Sequence, residues 1–136
     1  MWIFLQNAML SIVDTKAHAA SKAGRYGDRH KANSPTLMVR ARLKGDIERV
    51  FPGAKVSVTP SADYRYRATV KRERVAEAIQ TEVMNIDYGN FKSGVPNGLR
   101  HNAYMGVWGV MEGAQRKEAN PRTFPGQDDF AFIEGQ

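Results

Sequence analysis

Residues 37–51, Leu-Met-Val-Arg-Ala-Arg-Leu-Lys-Gly-Asp-Ile-Glu-Arg-Val-Phe, carry two periodicities in succession. Leu37, Val39, Ala41 and Leu43 alternate with Met38, Arg40, Arg42 and Lys44, the period of a half-buried strand. After Gly45 the period lengthens, and Ile47, Val50 and Phe51 fall on one stripe of a helix. Asp46 stands where an N-cap is expected. A strand and a helix that share one core leave the strand's other face with Arg40, Arg42 and Lys44.

The flanking segments extend this frame. Trp2–Val13 reads as two short strands about Gln6-Asn7-Ala8, or as one bulged strand. Lys55–Thr59 is a short strand closed by Pro60, and Ser61-Ala-Asp63 makes the turn after it. In Tyr64–Val70, alternation puts Tyr64, Tyr66, Ala68 and Val70 on one face and Arg65, Arg67 and Thr69 on the other. Arg72–Ile86 predicts a helix with Val75, Ala78, Ile79, Val83 and Ile86 as its buried stripe. A third helix is expected from an Asn102 cap to about Gln115, weakened by Gly106, Gly109 and Gly113. Together these predict an α+β fold in two layers. An antiparallel or mixed sheet of four to five strands carries two to three helices on one face, ferredoxin-like or related.

Two segments stand apart. Residues 14–36 hold one large apolar side chain, Tyr26, and read as a flexible basic insertion in a single domain of residues 1–115. Residues 116–136 read as a loosely ordered tail, with Phe124, Phe130 and Phe132 as docking points.

Charge is unevenly placed. The chain is +6 overall, and between Lys16 and Lys44 eight Lys or Arg face one acid, Asp28. Such an excess favours a polyanionic or acidic partner, with solubility as the plain alternative. Absence of cysteine excludes disulfides and thiolate chemistry. The apolar N-terminus lacks a basic leader and is too short to span a bilayer, so a cytoplasmic protein without membrane attachment is expected.

Several segments resemble a family of small uncharacterised bacterial proteins. These are residues 2–13 (Trp-Ile-Phe-Leu-Gln-Asn-Ala-Met-Leu-Ser-Ile-Val), 39–52 (Val-Arg-Ala-Arg-Leu-Lys-Gly-Asp-Ile-Glu-Arg-Val-Phe-Pro), 62–68, 86–92 and 100–111. The resemblance covers about two thirds of the chain, leaving out residues 14–36 and the tail. It implies a bacterial, cytoplasmic protein and no catalysis.

Catalytic and metal signatures are missing from the sequence itself. His18, His30 and His101 have no ligand spacing, and no nucleophile elbow, phosphate loop or dinucleotide pattern occurs. No cofactor is expected. Asp46, Asp87, Asn90 and His101 form a remote acid–base candidate that only folding could assemble. The stronger constellation is basic. Arg40, Arg42, Lys44, Arg65 and Arg67 would line one sheet surface, with no acid on either strand to balance them. Arg25 and Tyr26 in the insertion add a cation and a stacking ring. The expectation is a non-enzymatic protein that engages nucleic acid or a nucleoprotein. The alternative is a regulator or inhibitor, carried by a mobile element, that masks an acidic protein surface. A homodimer through the glycine-bearing helix is compatible with both.

Overall fold

The alternation that begins at Leu37 becomes a strand, but a shorter one than the pattern implies. The computed structural model, which describes residues 1–24 and 33–120, ends that strand at Ala41. Five antiparallel strands form one sheet: β1 (Trp2–Phe4), β2 (Met9–Asp14), β3 (Thr36–Ala41), β4 (Ser57–Val58) and β5 (Tyr66–Lys71). Their order is β1-β2-β3-β5-β4. The helices are α1 (Thr15–Lys22), α2 (Asp46–Val50), α3 (Arg72–Met84) and α4 (Gly98–Ala119), with a single 3₁₀ turn at Lys92–Gly94. The chain divides into two compact units between Gly94 and Val95, so the sheet and α4 belong to different units. The α+β two-layer class is the one expected.

Register fixes which side chains share a face. Ile12 pairs with Val39 and Val39 with Ala68, and all three are buried. Leu10, Ala41 and Val70 join them, and Ile47, Phe51 and Val75 close the core from α2 and α3. Each large apolar side chain buried here contributes about 1.5–3 kcal/mol. The opposite face carries a transverse row of register partners, Trp2, Ser11, Arg40, Arg67 and Ser57, one from each strand.

Several expectations need correction. The hairpin reading of residues 2–13 holds, with Phe4 paired to Met9 and Leu5 N donating to Ala8 O at 2.7 Å. Residues 15–22 are helical rather than loop. Asp14 caps α1 by accepting from Ala17 N at 2.9 Å, and Ala20 is buried. The helix lies against β2 and β3, and His18 approaches Arg67 on the face away from the core. Leu43 falls in the turn before α2, outside the core cluster. Gly45, at φ +89°, is the N-cap of α2, a left-handed conformation that glycine adopts without strain. Asp46 is therefore the first helical residue. α3 stops at Met84, which leaves Val83 and Ile86 57% and 53% exposed, so neither extends the buried stripe. In the second unit α4 starts five residues earlier than expected, capped by Asn97 in place of Asn102, and the Asn97 Oδ1 accepts from Arg100 N at 3.0 Å.

No helix among the described residues is long and apolar enough to cross a membrane.

Candidate anion-binding site

Tyr64 is where the arginine face converges. Alternation assigned its ring to the core face, yet Tyr64 precedes β5 and is not bound by the strand's period. Its buried ring instead receives two guanidinium groups, Arg40 at 4.6 Å and Arg42 at 4.1 Å from the centroid. Each contact is a cation–π attraction of roughly 0.5–2 kcal/mol. Two like charges on one ring also repel each other.

Arg40 comes from β3. Its Nη2 donates to Ser11 Oγ at 2.7 Å on β2, while its buried Nε has no hydrogen-bond partner among the described residues. Burial, more than any neighbour, pushes this guanidinium below its ordinary range, and Arg67 and Arg42 push the same way. Arg67, from β5, donates through Nε to Tyr64 O at 3.1 Å and through Nη2 to Asp63 Oδ1 at 3.3 Å. Its Nη1 lies 3.4 Å from His18 Nε2.

The acid that neither strand supplies comes from the turn. Asp63 accepts from its neighbour Tyr64 N at 2.8 Å, and its backbone carbonyl accepts from Arg42 Nη1 at 3.0 Å. The Tyr64 amide bond holds the Asp63 carboxyl below its ordinary range, and the charges of Arg67, Arg40 and Arg42 add to that effect. One mostly exposed carboxylate thus faces three guanidinium groups. The excess of positive charge persists after folding.

The five sheet-face cations divide into two sets. Arg40, Arg42 and Arg67 gather around Tyr64. Lys44, in the turn before α2, and Arg65, just before β5, are exposed, and neither side chain makes a hydrogen bond or ion pair among the described residues. Arg25 and Tyr26 lie outside the described residues. Sequence reasoning missed His18 and Asp63 as members of this cluster. Asp63 was legible only as a turn former, and His18 only as a loop residue.

Of the remote acid–base group, Asp46 is taken up by the fold. Asp46 is fully buried, where it accepts from Met9 N at 3.0 Å and pairs with Arg49. Arg49 in turn donates to Asn7 O at 2.8 Å, so the pair fastens the β1–β2 hairpin to α2. Asp87 and Asn90 are exposed, and Asn90 Oδ1 accepts from Ser93 N at the 3₁₀ turn. His101 is in the first turn of α4, within the other compact unit. Among the described residues no group of three or more His, Cys, Asp or Glu is gathered that could hold a metal ion.

Comparison with known proteins adds no relative: no family model, no curated protein and no solved structure matches this chain.

Proposed function

We propose that the protein is a small non-enzymatic binding protein whose arginine face engages nucleic acid or a nucleoprotein. The observation that carries this reading is the gathering of Arg40, Arg42 and Arg67 around Tyr64 against the carboxylate of Asp63. Like charges set directly opposite each other in a sheet are destabilising, and a phosphate group relieves that repulsion with forked, charge-assisted hydrogen bonds. Lys44 and Arg65 supply exposed cations for further phosphates. A bacterial cytoplasmic setting accords with this reading.

The test is fluorescence anisotropy with labelled single-stranded and duplex oligonucleotides across a salt series. Three phosphate contacts give a log–log salt slope of about −2 to −3. An Arg42→Ala/Lys44→Ala/Arg65→Ala variant should lose most of the affinity and flatten that slope. A salt-independent interaction, or undiminished binding by the variant, would overturn the reading.

A second reading, a regulator that docks on another protein, draws support from α4. Leu99, Val110 and Met111 are 70%, 73% and 63% exposed, an unusual load of apolar surface for one helix. Arg116 and Lys117 follow in its last turn. The partner that fits is an apolar groove with an acidic rim, on another protein or on a second copy of this chain. Co-purification of one stoichiometric partner after nuclease digestion supports this reading. Light scattering at the dimer mass identifies the second copy.

A further inference from the structure

His18 is the one group of the cluster whose charge changes near neutral pH. It projects from α1 to within 3.4 Å of Arg67 Nη1. Among the described residues, four charged side chains act on it: Arg40 from β3, Arg67 from β5, Lys22 from its own helix and Asp63 from the turn. Three are cations and one is an acid. A neutral imidazole can accept from the Arg67 guanidinium through Nε2, whereas an imidazolium there would add another positive charge. Partial burial, then Arg40, Lys22 and Arg67, hold the imidazole below its ordinary range, with Asp63 opposing. His18 is therefore neutral at pH 7 in the free protein.

We propose that His18 is a proton-accepting member of the anion site, so that a phosphate group drawn to Arg40, Arg42 and Arg67 also draws a proton onto His18. This rests on the reading of the arginine face as an anion surface and adds its regulation. A dianionic or monoanionic oxyacid beside the cluster offsets the field of the three cations. It also accepts the hydrogen bond that an imidazolium donates. Linkage is reciprocal: an anion that favours the protonated imidazole binds more tightly when the imidazole is already protonated. Affinity thus strengthens as pH falls through the interval between the free and bound titrations of His18. The steepest gain is about tenfold per pH unit for one coupled proton.

The direct test is an NMR titration of the His18 ring in the full chain, with sulfate as a non-titrating oxyanion and chloride at equal ionic strength as reference. The proposal expects sulfate to raise the His18 midpoint by about half a pH unit or more. An unmoved midpoint under sulfate overturns it. The second arm measures anisotropy of a labelled oligonucleotide between pH 5.5 and 8, whose phosphodiesters do not titrate in that range. Wild-type affinity should rise as pH falls, and His18→Gln should remove the slope; an equal slope in both overturns the proposal. Oligonucleotide binding without a change at His18 leaves the nucleic-acid reading standing and defeats this one. A sulfate response without oligonucleotide binding does the reverse.

Discussion

Arg40 and Arg67 stand directly opposite each other as register partners across the β3–β5 ladder, both turned away from the core. Strand alternation normally sends such a pair into solvent. Here Arg40 is held on Tyr64 and Ser11, and Arg67 on Asp63, His18 and the Tyr64 carbonyl. The pairing has a measurable consequence for stability.

Arg40→Met keeps the apolar stem, removes the unpartnered Nε and the repulsion from Arg67, and gives up the Ser11 bond and the ring contact. These effects oppose each other, so the change in unfolding free energy should stay within about 1 kcal/mol. Urea denaturation measures it. Oligonucleotide affinity should fall in the same variant, separating function from folding. A destabilisation of several kcal/mol would show that Arg40 is retained for the fold alone.

Asp14 joins three segments. It accepts from Ala17 N in α1, from Ser34 N before β3, and from Arg72 Nη2 at the start of α3. Burial alone would raise its carboxyl, but the backbone bonds from Ala17 and Ser34 and the charge of Arg72 outweigh it and set the group below its ordinary range. A carboxylate depressed in the folded state stabilises above its unfolded titration, near pH 4, and that contribution is lost as pH falls through the folded value. Asp14→Ala should cost about 1–3 kcal/mol at pH 7 and little at the acid end. Chemical denaturation at pH 7 and pH 3 checks both halves of the statement.

Gly45 and Asp46 mark the start of α2. Gly45→Ala forces a left-handed conformation on an L residue and brings the new Cβ to 3.0 Å from Arg49 Nη1. The expected loss is about 1–2 kcal/mol. Asp46→Ala strips the acceptor from Met9 N and from Arg49, with an expected loss of about 2–4 kcal/mol. Thermal denaturation should rank the two in that order.

The ends of α3 differ in their burial. Val75 is 2% exposed and Val83 57%. Val75→Ala should cost about 2–3 kcal/mol, while Val83→Ala should stay within about 0.5 kcal/mol. Equal losses in urea melts would mean that the buried stripe runs on to Val83.

Much of the sheet unit was legible because one face had to be apolar. The alternation in residues 37–41 and 66–70 and the spacing of Val75, Ala78 and Ile79 each reflect burial against the same core. α1 escaped because it buries little apolar surface and is held at its start by a carboxylate cap. The run Asp14-Thr-Lys-Ala, followed by alanines, was the available signal. Tyr64 was misassigned because period two was carried beyond the first residue of the strand. The arginines themselves were found, but the pairing with Asp63 and His18 was not. A turn residue and a helix residue meet a strand only in three dimensions, and no spacing encodes that meeting.

The Asp14 clamp also couples the starts of α1, β3 and α3. Ser34, through its amide and carbonyl, and Pro35, through its carbonyl, are fastened to Asp14 and Arg72, and Asp14 pairs with Leu37 in the ladder. Losing the Asp14 carboxylate therefore loosens all three starts together, so the clamp behaves as a keystone and not as a single bond.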